Sequence, residues 1–377
     1  MIPRIIKSSV LDRWQSSNKL IVVYGPRQVG KTTLVKSIMD VSDGKCLYVN
    51  ADLNRYHDVL ESRDLSRLKG MLSGYDYFLL DEAQRVNNVG LTLKIIHDEL
   101  PDLKVIATGS SSLDLASALS EAMTGRYWSY HLYPISVQEL VQDTNAFEVD
   151  GRIEELLVYG SYPEVFQYGN LDMRSEYLKT LSSSYLYKDI LELSGIRHAN
   201  KVRDLLRLLS YQMGQLISFA ELGRQLGLST ETVQHYVDLL EKSFVLKGLH
   251  GFSRNLRKEI TKQSKYYFWD LGIRNAVIDD FKPLHLRNDK GALWENFLFI
   301  ERQKYLEYSR QQRNCYYWRL YSGAELDYVE ETSGVLHGYE FKWRKRNSKG
   351  PKSWQETYPD STFDLIDRSN YAEFINP

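Results

Sequence analysis

Cysteine is nearly missing from this chain. There are two in 377 residues, Cys46 and Cys315, far apart and without the spacing of metal ligands. That excludes a disulfide framework and a cysteine zinc site, and predicts buried free thiols in a reducing compartment. Long apolar runs are missing too. None approaches the ~20 residues of a membrane span, and Met1–Lys7 lacks the apolar core of a signal peptide. No membrane partner is expected, and a cytoplasmic location is. Net charge is also lacking: 48 Lys and Arg against 49 Asp and Glu leave −1. A chain-wide basic field for nucleic acid is excluded, so any basic surface must be local. No internal repeat and no low-complexity tract is visible.

What is present is an ordinary globular composition, 43% hydrophobic and 26% charged, long enough for two or three domains at ~150 residues each. From about residue 20 to 135, apolar runs at Leu20–Tyr24, Cys46–Val49, Tyr77–Leu80, Val105–Thr108 and Tyr127–Leu132 alternate with amphipathic stretches. Helices are expected at Thr32–Asp40, Asp52–Lys69, Val89–Glu99 and Ser112–Met123. This alternation predicts an α/β layer with a mostly parallel sheet. Ligands of such sheets bind outside the carboxyl ends of the strands.

The first strand runs into Gly25-Pro26-Arg27-Gln28-Val29-Gly30-Lys31-Thr32-Thr33, followed by a helix-like run. Strand, G-x-x-x-x-G-K-[S/T] and helix in that order predict a phosphate-binding loop. The glycines permit a path that turns backbone N–H groups inward, and the helix adds its positive end. Lys31 would reach the β- and γ-phosphates of ATP, and Thr32 would offer its hydroxyl to Mg²⁺.

The third strand ends Leu80-Asp81-Glu82, an apolar strand followed by acids as in a Walker B motif. Asp81 would support Mg²⁺ and Glu82 would activate the attacking water. The fourth strand ends Thr108-Gly109-Ser110. A polar side chain here could hold water or γ-phosphate, and Ser110 is favoured over Thr108; the alternative is that these residues only cap the next helix. Arg126 stands just ahead of the fifth strand.

This order of parts resembles the AAA+ ATPases. The runs at 80–84, 108–112, 125–126 and 132–136, then Tyr-Pro-Glu (162–164), Tyr-Phe-Trp-Asp-Leu-Gly-Ile-Arg-Asn (267–275) and Trp-Glu-Asn (294–296), narrow it. Together they look like the prokaryotic AAA-type ATPases with a C-terminal domain of unknown function. The resemblance implies ATP hydrolysis and makes Arg126 the candidate finger that enters a neighbouring subunit's site, hence a homo-oligomer. It implies a P-loop core over 1–140, a helical lid over 141–215, a winged-helix-like domain over 216–280 and a nuclease-like α/β domain over 281–377. One departure is that no second sensor arginine stands in the lid-like stretch Val158–Glu164.

Residues 216–250 have a helix–turn–helix pattern. Ser218 opens a capping box with Glu221, and Ser229 or Thr230 caps a second helix. Strands Phe244–Leu246 and Lys265–Trp269 would make a wing; a plain helical hairpin is the alternative. Farther on, Asp327 on one strand and Glu340-x-Lys342 on the next resemble the PD-(D/E)xK nuclease core, with Glu295 on the preceding helix. Asp327 and Glu340 would hold a divalent cation and Lys342 would steady the water. The alternative is ordinary cross-strand ion pairs. Arg254, Arg257, Lys258, Lys262 and Lys265, with the basic run from Lys342 to Lys352, would suit DNA or RNA. The acids Glu231, Asp238 and Glu241 on the second helix argue against a major-groove fit. Three readings stay open: an ATPase acting with nucleic acid, an ATP-gated nuclease, and an ATP-switched binding module with an inactive C-terminal domain.

Overall fold

The computed structural model describes residues 2–110, 122–183, 199–253, 263–344 and 349–376. The chain forms two compact units, one built on Met1–Ile135 and the other on most of the chain from Ser136 onward.

The first unit carries five strands, β1 (Leu20–Tyr24), β2 (Cys46–Asn50), β3 (Tyr77–Asp81), β4 (Lys104–Gly109) and β5 (Tyr127–His131). Their order is β2-β3-β4-β1-β5, and all four pairings are parallel. β1 is buried at all five positions because it is central and covered on both faces, which is why its sequence is continuously apolar. The expected strands all form. The helix expected over Asp52–Lys69 is instead broken into Asn54–Tyr56, His57–Leu60 and Leu65–Leu72. Arg63 turns into the left-handed region at φ 53°, and Asp64 caps a new helix by accepting from Arg67 N at 3.0 Å. Ser112–Met123 lies almost wholly outside the described residues.

The thiols are less buried than expected. Cys46 is exposed because it opens β2, an edge strand, and Cys315 is half-buried beside Tyr328.

In the second unit, helices Phe219–Leu226 and Thr230–Lys242 follow β6 (Leu216–Ile217) and precede β7 (Leu246–Gly251) and β8 (Ser264–Phe268). β6 and β7 each pair antiparallel with β8. The strand expected at Phe244 starts at Leu246, since Phe244 makes a left-handed turn at φ 58°. After helix Lys290–Tyr308 come β9 (Asn314–Arg319), β10 (Glu325–Thr332), β11 (Val335–Phe341) and β12 (Thr362–Ile366). These seven strands form one sheet, β12-β11-β10-β9-β7-β8-β6. The parallel β7–β9 pairing joins the strands on the two sides of residue 280, so the sheet is continuous there. Phe252, Trp318, Leu326, Val329, Leu336 and Trp354 pack a core against it.

The 267–275 motif proves to be a clamp. The buried carboxylate of Asp270 accepts from Ser161 N at 2.7 Å and Ile273 N at 3.0 Å. Asn275 donates to Leu157 O and Val158 O, the end of helix Ile153–Tyr159. Capping of this kind satisfies the terminal groups that a helix leaves unpaired.

Candidate functional site

The phosphate loop leaves β1 at the carboxyl end of the first unit's sheet. A Cβ on Gly25 would lie 2.1 Å from Leu132 O, and Gly30 takes φ 96° to start helix Lys31–Met39. Pro26 and Val29 are buried, Arg27 is half-buried, and Gln28 and Thr33 are exposed. Lys31 is 4% exposed, and its Nζ donates to Gly25 O and Pro26 O at 2.9 Å each. Arg4 braces the loop from outside, its Nη1 donating to Val29 O at 2.7 Å and its Nη2 bonding to Tyr133 O.

Three elements converge on Asp81, which is 4% exposed. Thr32 Oγ1 donates to its Oδ2 at 2.8 Å and Tyr48 OH to the same oxygen at 2.9 Å. Thr108 Oγ1 donates to Oδ1. Burial, and then the bond to Asp81, push the Tyr48 hydroxyl up, so it is a donor at neutral pH. Glu82 has left-handed backbone, φ 55° and ψ 43°, and its N–H donates to Thr108 Oγ1 at 3.2 Å. Its carboxylate accepts from Gln84 Nε2 at 2.5 Å, and the same nitrogen reaches Ser110 Oγ at 3.0 Å. Ser110 therefore meets Glu82 through Gln84, while Thr108, the less favoured residue of the pair, touches Asp81 directly. Tyr48 escaped the sequence reading, and Gln84 entered it only as the end of the 80–84 run, with no role. A tyrosine in a strand carries no phosphate signal, and a glutamine two residues past Walker B has a role only once the turn folds it back.

Arg126 lies elsewhere. Its carbonyl accepts from Leu20 N at 3.0 Å, at the amino end of β1, and its side chain pairs with Asp98 at 3.1 Å. The five residues of β1 separate it from the phosphate loop by ~15 Å.

The C-terminal acids lie around two lysines, Lys342 and Lys265, and Asp327 interacts with both. The β10–β11 ladder ends at the Tyr328↔Tyr339 pair, and Asp327 and Glu340 are the next residue on each strand. Asp327 Oδ2 accepts from Phe341 N at 2.8 Å, next to a register shift of β10 against β9 between Leu326 and Val329. Glu340 pairs with Lys342, the residue just after β11, at 2.9 Å. Glu295 instead accepts from Tyr267 OH at 2.7 Å and Lys265 Nζ at 3.3 Å, and Lys265 also pairs with Glu325 at 2.7 Å. Lys265 is 2% exposed, so it belongs to this cluster and not to a basic solvent face as expected. Burial raises the Glu295 carboxyl to about 7; Lys265 opposes the rise and Asp327 adds to it. Burial likewise raises Asp327. Among the described residues, no three acidic, histidine or cysteine side chains are grouped to hold a metal. Arg254, Arg257, Lys258, Lys262, Lys345 and Arg346 lie outside the described residues. No helix among the described residues is long and apolar enough to cross a membrane.

The phosphate loop, the acid-ended β3 and the parallel sheet around them have the arrangement of a P-loop domain. Residues 17–141 match the AAA domain family, residues 150–284 a domain of unknown function (DUF8612), and residues 290–367 another (DUF4143). An uncharacterized protein of Mycobacterium tuberculosis is 28% identical over 86% of this chain and 70% of its own length. An uncharacterized protein of Haemophilus influenzae is 24% identical over 80% and 78%. Among solved structures, a Walker-type ATPase of Pyrococcus abyssi is similar with TM-score 0.49 and 16% identity, over 74% of this chain and 96% of that one. The Thermotoga maritima RuvB Holliday junction branch migration motor is similar with TM-score 0.35 and 16% identity, over 65% and 89%.

Proposed function

We propose that the chain binds ATP with Mg²⁺ at Gly25–Thr33 and hydrolyses it. The observation that carries this reading is the 2.8 Å contact between Thr32 Oγ1 and Asp81 Oδ2. It joins a hydroxyl from the phosphate loop to a carboxylate from β3, both hard oxygen donors of the kind Mg²⁺ takes. When bound, Mg²⁺ neutralises charge on the β- and γ-phosphates. Lys31 adds a buried cation beside the loop, and Thr108 and Tyr48 hold Asp81 in one orientation. Glu82 is the base that takes the proton of the attacking water. Arg126, at the far end of its own sheet, acts as a finger only in the site of a second copy. That makes the active species a homo-oligomer.

For the C-terminal part, the reading best supported is a partner-binding module switched by the ATPase, without nuclease chemistry. Its support is Lys265, whose ammonium lies among Glu295, Glu325 and Asp327 and supplies the charge a metal would otherwise bring. A second reading, a metal-dependent nuclease, is favoured by one observation, that Asp327 and Glu340 each follow the last pair of the antiparallel β10–β11 ladder. Contact with DNA or RNA is supported by Gln234 and His235, exposed on helix Thr230–Lys242.

Phosphate release tests the ATPase reading. Lys31→Ala and Glu82→Gln are both expected to abolish it, with Glu82→Gln still binding ATP; wild-type rates in both would sink the reading. The same assay with single- and double-stranded DNA and RNA tests the downstream role. Stimulation without cutting supports a binding module, and Mg²⁺- or Mn²⁺-dependent cutting lost in Asp327→Ala supports the nuclease.

A further inference from the structure

Gln84 combines three observations. It follows Walker B by one short turn, Ala83–Arg85, which begins at the left-handed Glu82. Its amide nitrogen is spent on two acceptors, the Glu82 carboxylate and the Ser110 hydroxyl. Its carbonyl oxygen is buried and has no hydrogen-bond partner. The amide cannot be turned over to relieve this, because the oxygen would then face the Glu82 carboxylate, acceptor against acceptor. A buried acceptor without a donor is costly, ordinarily ~1–3 kcal/mol, and such groups persist where a water or a reacting group completes them.

We infer that Gln84 is the positioning residue of the hydrolytic step, aiming the Glu82 carboxylate with its amide nitrogen and receiving one O–H of the attacking water on its carbonyl oxygen. The inference rests on Glu82 acting as the base. With one O–H directed to Gln84 Oε1 and the other to Glu82, the water presents a lone pair to the γ-phosphorus. The new P–O bond forms from that lone pair. The bond to the β–γ bridging oxygen breaks, and its electron pair leaves on ADP. The proton passes to Glu82 and then to the products. Ser110, which anchors the same amide, is then the link by which β4 senses the γ-phosphate side of the site. The polar residues at the end of β4 thereby divide their work. Thr108 fixes Asp81 and the Glu82 backbone, and Ser110 fixes Gln84.

The test is steady-state ATP hydrolysis by the full chain, with ATP affinity measured separately by equilibrium titration. Gln84→Ala is expected to lower kcat by at least ~30-fold while leaving the ATP Kd unchanged. Gln84→Glu, of the same length, puts a second carboxylate against Glu82. It is expected to lower kcat with the ATP Kd and the urea midpoint unchanged, a split that a structural role would not produce. Ser110→Ala is expected to lower kcat less, and to add nothing when combined with Gln84→Ala. A Gln84→Ala or Gln84→Glu protein with wild-type kcat overturns the inference and leaves the ATPase reading intact. Wild-type kcat in Glu82→Gln overturns the reading beneath it. Weakened ATP binding in both Gln84 variants also overturns the inference, because the residue would then be holding the fold of the loop.

Discussion

Lys265 Nζ stands 2.7 Å from Glu325 Oε1 and, from the same atom, 3.3 Å from Glu295 Oε1. A lysine on β8 therefore neutralises acids on β10 and on helix Lys290–Tyr308. Removing it leaves buried charges without a counterion, so Lys265→Met should cost about 3–5 kcal/mol of unfolding free energy at pH 8. Urea denaturation measures this. A change within about 0.5 kcal/mol of wild type would mean that the acids are solvated and the cluster carries no strain.

Stability should also fall as pH rises between about 4.5 and about 7. Burial holds the folded Glu295 carboxyl near 7 against an ordinary 4.5. Across that window the folded state holds the proton that the unfolded state has lost. Rising pH therefore favours unfolding, by about 3 kcal/mol in all. The quantity to compare is the stability difference between pH 4.5 and pH 8. Glu295→Gln should show a smaller loss than wild type, since the variant does not titrate there; equal losses would refute the assignment.

Thr108 touches Asp81 and the Glu82 backbone at once. Thr108→Val keeps the shape and removes both bonds. Hydrolysis should drop about 10- to 100-fold, and the Mg²⁺ concentration for half-maximal rate should rise. Thr108→Ser should restore most of the rate, since the hydroxyl carries the effect.

Arg126→Ala should lower turnover by about 10³-fold without weakening ATP binding. Wild-type turnover per subunit should climb with protein concentration. A rate per subunit that is flat over a wide concentration range would argue that Arg126 does no more than pair with Asp98.

Asp270→Ala removes the acceptor for two buried N–H groups, Ser161 and Ile273. The expected cost is about 3 kcal/mol, read as a lower urea midpoint at unchanged slope. Asp270→Asn should recover part of it, because one amide oxygen can still accept.

Much of the first unit is legible from local pattern. Five apolar runs became five strands, since a central parallel strand buried on both faces must be apolar throughout, and the glycines and Lys31 marked the loop. The helix Ile6–Ser16 was missed although Ile6, Val10 and Trp14 recur at helical spacing, all buried. The break of Asp52–Lys69 was hidden because it depends on a positive φ at Arg63, a non-glycine residue with no such preference. In the second unit the strand expected at Lys265–Trp269, one residue out of step, and the two that carry Asp327 and Glu340 were found. Their union into one sheet was not, because pairing β7 with β9 joins residues about 65 apart.

Alone, the sequence determined what can be encoded in consecutive residues: the phosphate loop, the acids that end β3, the two consecutive helices after Ser218 and the alternation of strand and helix. Each is a local property of backbone freedom and hydrophobic period. Tertiary structure alone decided which side chains share an atom. It brought Tyr48, Thr32 and Thr108 onto the Asp81 carboxylate, folded Gln84 back on Glu82, and set Lys265 among the C-terminal acids. Those encounters depend on strand order and register, which no stretch of neighbouring residues specifies.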